Sequence, residues 1–178
     1  MRYKVKSPPL KASETWTITP EELDSISQQS DALSQIRGRI ISSSITIEEY
    51  LDYLIVAVLF PNNPEGGSLF RELVLEREFF TFMNKWKTFK ELVERGAIKI
   101  DDETSKKGIL KKICDIIETR NKFAHGEVIF SGTTPELHYL KGGKKRSDVL
   151  DNTYFDGLNS LFSSTADILH GLSSKAQK

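Results

Sequence analysis

Three side chains in the run RNKFAH, residues 120–125, have types and spacing that suit chemistry on a phosphate group. Arg120 carries a planar guanidinium, which binds a phosphate through two parallel hydrogen bonds. Histidine is the side chain most often used for general acid–base catalysis, so His125 could donate or accept a proton. Asn121 and His125, four residues apart, can be near neighbours on a helix. The run therefore suits a proton donor or a phosphate contact.

The element that must position these residues is an amphipathic helix predicted over Thr104–His125 and ended by Gly126, where a left-handed residue is common. Arg120 lies one turn beyond Ile116, near the middle of the apolar face. A guanidinium there must be paired, or must face a cavity or an interface. Two interpretations stay open at this point: a structural ion pair with His125 capping the helix end, or a functional site.

The order arginine, polar residue, three further residues and histidine at a helix end resembles the signature of the HEPN family, the higher eukaryotes and prokaryotes nucleotide-binding domains. The specific part is RNKFAHG, residues 120–126, and asparagine directly after the arginine is one of the family's common choices. The expected order of helices extends the resemblance over roughly residues 20–172. The predicted hairpin and N-terminal arm are additions to the family's compact form.

The resemblance implies a function and a mechanism. Active HEPN proteins are metal-independent endoribonucleases, often toxins with antitoxins or phage-defence effectors, whereas others bind or scaffold without cleaving. By analogy, Arg120, Asn121 and His125 would be catalytic, with no cofactor and no metal. A ribose 2′-hydroxyl would attack the adjacent phosphate and leave a cyclic phosphate. Because one histidine cannot readily be both acid and base, we expect a homodimer through the motif helix, as in the family. An antitoxin or nucleotidyltransferase partner is also expected by analogy.

The charge balance restricts how RNA or a nucleotide could bind. Twenty-five basic residues offset 25 acidic ones, so the chain lacks a global positive field and a polyanion would need a local patch. The candidates for that patch are Lys122 and the basic loop residues Lys141, Lys144, Lys145 and Arg146. Two alternatives to a ribonuclease or toxin stay open. One is a catalytically silent HEPN-like binding domain, and the other is an unrelated helical adaptor with a coincidental motif.

The remaining pattern predicts a mostly α fold, namely a HEPN-like bundle of four to five helices with a small β-hairpin before the last helix. Residues 1–18 are expected to form an extended arm anchored by Trp16, residues 19–172 the helical domain, and residues 173–178 a frayed end. A capping box at Thr19–Glu22 starts a long helix to Phe60, with a break near residues 42–44 as the alternative.

Turn residues set the other expected boundaries. Residues 61–67 predict a loop, with Ser68 capping the next helical segment, which is one bent helix or two short ones up to Gly96. Segments 127–130 and 137–140 predict the hairpin, and a closing helix follows from Tyr154. A single cysteine, no secretory signal and no apolar run approaching the roughly 20 residues of a membrane span predict a cytoplasmic protein without a membrane contact.

Overall fold

The computed structural model describes residues 2–6, 17–131 and 134–176. Within these ranges the fold is mostly α, as predicted, with five α-helices and a four-stranded sheet. In chain order the elements are β1 (Arg2–Lys6), α1 (Pro20–Leu59), α2 (Pro64–Phe70), α3 (Phe82–Glu94), α4 (Glu103–His125), β2 (Glu127–Ser131), β3 (Thr134–Lys141), β4 (Lys144–Val149) and α5 (Asn152–Ala176). A π-helical turn, Arg71–Leu75, follows α2. The predicted anchor Trp16 lies outside the described residues.

The first helix begins and continues as the sequence predicts. Thr19 Oγ1 accepts a hydrogen bond from the Glu22 backbone N–H at 3.2 Å, and Glu22 Oε2 accepts one from the Thr19 N–H at 2.9 Å. This reciprocal pair is a capping box, and it satisfies two donors that the helix itself leaves free. The helix then runs without interruption to Leu59, so the alternative break near residues 42–44 is wrong.

The next helices follow the two-helix alternative, with one corrected start. Asn63, rather than Ser68, caps α2, because its Oδ1 accepts a hydrogen bond from the Gly66 N–H at 2.9 Å and Pro64 occupies the first helical position. The glycines of the predicted loop therefore lie inside a helix. Gly96 adopts φ 75° after α3, which is the left-handed conformation expected of a glycine at a helix end.

The predicted hairpin is only part of a larger sheet. Strands β2 and β3 pair antiparallel as expected, but β1 adds in parallel to β2 and β4 adds antiparallel to β3. The basic run is therefore not a loop, because Lys144, Lys145 and Arg146 belong to β4. Only Gly142 and Gly143 form the turn, with φ 59° and 75°, the positive values that a two-residue type I′ hairpin requires.

The contacts divide the chain into two compact units. The first comprises residues 1–42 and 119–159. Its buried apolar residues come from α1, α4, one face of the sheet and the segment after β4, and they include Ile26, Leu33, Ile40, Phe123, Val128, Phe130, Leu137 and Leu150. The predicted frayed end is helical up to Ala176, within α5.

The second unit comprises residues 43–118 and 160–178, and its described residues form an apolar core. That core includes Ile47, Leu51, Leu54, Phe82, Phe89, Val93, Ile109, Ile113, Ile116 and Leu169. The buried Lys85 cluster lies in this unit: Lys85 Nζ is 2.9 Å from Glu48 Oε1 and 2.8 Å from Asp52 Oδ2. Burial opposes the charge of Lys85, but hydrogen bonds to Asp52 and Glu48 outweigh it and raise the pKa of the ammonium.

Candidate active site

The predicted motif residues lie in the last two turns of α4, in the first unit. Arg120 is half-buried, and its Nε atom is enclosed without a hydrogen-bond partner among the described residues. The same part of the chain supplies no carboxylate that forms an ion pair with its guanidinium. The sequence left a structural ion pair open for Arg120, and the described residues do not provide one.

Asn121 and His125 are exposed at the same helix end. Neither side chain makes a hydrogen bond, ion pair or ring contact with the described residues. At about 100° per residue, Asn121 lies on the helix surface between the other two, and it is about 40° from His125, one turn away. Asn121 and His125 are thus close neighbours on the helix surface, whereas the half-buried Arg120 is about 140° from His125 and less well aligned with it.

Lys122, which the sequence predicts as an RNA contact, is held by the sheet. Its Nζ is 2.8 Å from Asp148 Oδ2 and lies 4.5 Å from the centre of the Tyr139 ring. Burial opposes its charge, but hydrogen bonds to Asp148 and Tyr139 outweigh it and raise the pKa of Lys122. The ammonium thus stays charged, and Asp148 compensates that charge inside the fold.

Aromatic residues complete this attachment of α4. Tyr139 donates a hydrogen bond to Asp148 Oδ1 at 3.0 Å, and the Tyr154 hydroxyl lies 3.5 Å from Asp148 Oδ2. Burial raises the pKa of Tyr154 to about 12. The Tyr154 ring also lies against Phe123, with the ring centres 6.4 Å apart. Two consecutive motif-helix residues, Lys122 and Phe123, are therefore committed to packing.

Arg37 on α1 is a residue that sequence reasoning missed. Its Nη2 donates a hydrogen bond to the backbone carbonyl of Ala124 at 3.2 Å, so a second guanidinium lies at the end of the motif helix. The sequence contained the same signal for Arg37 as for Arg120, namely a charged residue on the apolar face of a helix. Arg37 follows Leu33 by four residues and precedes Ile40 by three, so it lies on the buried stripe of α1.

Gly126 ends α4 for a different reason from the one predicted. It is not among the described residues with positive φ, so it is not a left-handed cap. A Cβ atom at this position would collide with the Lys122 carbonyl oxygen and would lie 2.8 Å from Leu137 Cδ1 and 3.1 Å from the His138 carbonyl oxygen. Glycine is needed because β3 passes directly against the helix end.

The exposed basic side chains of β4 fall on two faces of the sheet. Arg146 pairs with Tyr139, and Lys144 pairs with Lys141. Because directly opposed residues share a face and alternate residues return to it, Lys144 and Arg146 lie on the face that carries Tyr139. Lys145 lies on the opposite face. Of the four predicted loop cations, Lys145 is thus separated from Lys141, Lys144 and Arg146, which share the face that carries Tyr139.

The described residues include no group of three histidine, cysteine, aspartate or glutamate side chains placed to hold a metal ion. None of the described helices combines the length and the hydropathy needed to cross a membrane. Comparison with known proteins gave no match to a family model, to a curated protein or to a solved structure.

Proposed function

We propose that this protein is a metal-independent endoribonuclease of the HEPN type, acting as a toxin or a phage-defence effector. The observation that carries the proposal is the buried Arg120 Nε without a partner, next to the uncommitted side chains of Asn121 and His125. A buried donor left unsatisfied costs about 1–3 kcal/mol. A phosphate bound by the guanidinium, or a second copy of the chain, would supply what this position lacks.

Each of the three residues has a role that its position suits. The Arg120 guanidinium binds the scissile phosphate and stabilises the charge of the phosphorane. His125, exposed at the helix end, transfers the proton between the ribose 2′-hydroxyl or the leaving 5′-oxygen and solvent. Asn121, one helical turn before His125, orients the imidazole or a phosphate oxygen. The products are a 2′,3′-cyclic phosphate and a 5′-hydroxyl, and the reaction needs no metal.

A homodimer through α4 completes the proposed site. A two-fold axis near Arg120 brings two copies of His125 together, so that one acts as base and the other as acid. The half-buried guanidinium would then face the interface rather than solvent. An antitoxin, for example a nucleotidyltransferase, is the expected partner that blocks or modifies this site in the cell.

The alternative is a catalytically silent HEPN-like domain that binds a nucleotide, RNA or a protein through the same residues. Exposed, uncommitted Asn121 and His125 suit binding as well as catalysis. The compensation of Lys122 by Asp148 also reduces the positive charge available for RNA near the motif. Cleavage itself therefore separates the two functions.

The test measures cleavage of a mixed RNA substrate in excess EDTA by wild type, His125→Ala and Asn121→Ala, with light scattering for the dimer. We expect wild type to produce cyclic-phosphate ends, and loss of the acid–base group to slow cleavage by about 10²–10⁴-fold. His138→Ala is the matched control, because its imidazole contacts Glu136 at 3.0 Å on the opposite face of the sheet from Tyr139. Wild type that binds RNA without cleaving it would establish the silent domain. Equal cleavage by His125→Ala would show that the site is wrongly assigned.

A further inference from the structure

The second unit contains a cleft of about 450 Å³ that none of the motif residues lines. It lies between α1 and α5, and Thr46 is one of its lining residues. Its other lining residues are Glu49, Tyr50, Tyr53, His170, Ser173 and Ser174. On α1, Tyr53 is four residues from Glu49 and three from Tyr50, so the three side chains project along one stripe of the helix. Tyr50 and Tyr53 also pack against the core of this unit, whereas Glu49 is exposed.

Aromatic rings form two perpendicular walls of this cleft. The Tyr50 and His170 rings are 6.4 Å apart at their centres, with an angle of 90° between their planes. Tyr53, one turn beyond Tyr50, supplies a further half-buried ring. The faces of such rings carry negative partial charge and attract a cation within about 6 Å of the ring centre. Perpendicular rings can contact one such ligand from two sides.

The polar groups of the cleft favour a cation over an anion. Among the described residues, Glu49 is the only acidic side chain that lines the cleft, no lysine or arginine lines it, and Glu49 makes no ion pair. The Ser173 hydroxyl donates to the Leu169 or the His170 carbonyl oxygen, at 3.0 or 2.9 Å, and the Ser174 hydroxyl donates to the His170 carbonyl oxygen at 3.0 Å. Both hydroxyl protons are therefore engaged inside the helix, and the hydroxyl oxygens can only accept. The described lining residues thus include one carboxylate and no lysine or arginine, which favours a cation over a phosphate or another anion.

We propose that this cleft binds an organic cation of the alkylammonium class. The aromatic walls would contact its apolar, positively charged substituents, while the Glu49 carboxylate would balance the charge. A carboxylate beside perpendicular aromatic rings is the arrangement that recognises a cation too large and too weakly hydrated to be a metal ion. This proposal does not depend on the ribonuclease function, because it uses no motif residue.

Choline is a suitable probe, because 3,3-dimethylbutan-1-ol has the same shape without the charge. Binding would be followed by the ring resonances of Tyr50, Tyr53 and His170 in the full chain. We expect saturable shifts with choline and an affinity at least about tenfold weaker for the neutral alcohol. Equal affinities for the two compounds, or no shift of these rings with choline, would overturn the proposal.

Substitutions test the two recognition elements separately. Glu49→Gln should weaken choline binding about tenfold, whereas Glu72→Gln, at an exposed acid on the π-helical turn, should not change it. Tyr50→Phe keeps the ring face and should bind within about threefold of wild type, while Tyr50→Leu should lose binding. If Tyr50→Leu does not fold, choline binding by Glu49→Gln still tests the proposal, because Glu49 is exposed. Unchanged binding by Glu49→Gln would contradict the proposal.

Discussion

Replacing Arg120 with methionine should make the protein more stable and inactive at once. The Nε atom of Arg120 is buried without a partner, so removing this donor relieves a cost of about 1–3 kcal/mol. Methionine keeps an unbranched apolar stem of similar length, and the two residues have nearly equal helix propensity, so packing and helix formation should change little. We expect the free energy of unfolding to rise by about 1 kcal/mol or more, which is roughly 2–4 °C in Tm for a chain of this size.

Cleavage should respond in the opposite direction. If Arg120 binds the scissile phosphate in the transition state, its loss removes a charged donor that is typically worth about 10²–10³ in rate. The assays are urea unfolding followed by circular dichroism at one protein concentration, and RNA cleavage in EDTA by the same preparations. Fixing the concentration matters because dimer formation would contribute to the measured stability.

Arg37→Met is the matched control for this prediction. The same substitution there removes a hydrogen bond that Arg37 Nη2 makes to the Ala124 carbonyl, and this should cost about 0.5–1.5 kcal/mol. The two Arg→Met changes should therefore have opposite signs in stability. A loss of about 3–5 kcal/mol for Arg120→Met is the result expected when a buried ion pair is broken. That result would refute the reasoning, because it would mean that Arg120 has a structural partner.

Two further predictions follow from the charges of the two units. Replacing Lys144 and Arg146 with glutamate should weaken RNA binding and flatten its salt dependence. Lys145→Glu, on the opposite face of the sheet, should have a smaller effect. Equal effects would show that the sheet face does not determine RNA binding. Lys85→Met should cost several kcal/mol, about 3–5 for a broken buried pair. The pKa of Lys85 in the folded protein is raised above its ordinary value of 10.5. The stability that this ion pair contributes is therefore complete below pH 10.5 and is lost as the pH rises through the pKa of the folded protein. The difference in unfolding free energy between wild type and Lys85→Met should accordingly become smaller at alkaline pH.

Local signals predicted the helices well because their boundaries depend on neighbouring residues. The capping box at Thr19 and the left-handed Gly96 both act within one helical turn. Ser68 was the wrong cap because Asn63 followed by Pro64 is a stronger helix start. Both residues lie in the turn-rich segment 61–67 that was predicted as a loop. In each case the information lay within a few residues.

The sheet was harder to predict because one of its strands pairs with a distant segment and another has little apolar character. Strand β1 pairs in parallel with β2, and this register joins Arg2 to Glu127, which are far apart in the sequence. Strand β4 begins with Lys144, Lys145 and Arg146 and contains only one apolar residue, Val149. Lysine and arginine are usual on edge strands, where they discourage further pairing, so a charge run of this kind resembles a solvated loop in sequence.

Some features of the candidate site could likewise be predicted from neighbouring residues, and others depend on distant ones. Arg120 was identified from helical periodicity alone, because a charged residue on an apolar stripe can be recognised within the helix. The compensation of Lys122 by Asp148 and the contact of Arg37 with Ala124 depend on the tertiary fold. No spacing rule connects them with the motif. The collision that requires glycine at position 126 likewise comes from β3, which lies further along the chain.

The last turns of α4 contain two kinds of residue whose difference argues for a function. Lys122 and Phe123 are committed to Asp148 and Tyr154, the Ala124 carbonyl accepts from Arg37, and these contacts fix the helix end. The motif side chains at positions 120, 121 and 125 make no such contacts with the described residues. A helix end that served packing alone would gain stability from an apolar residue at position 120, since a buried guanidinium nitrogen without an acceptor is costly. Fixed neighbours around a buried guanidinium nitrogen without a partner are consistent with the proposed phosphate site, because the donors of such a site must be in place before the substrate binds.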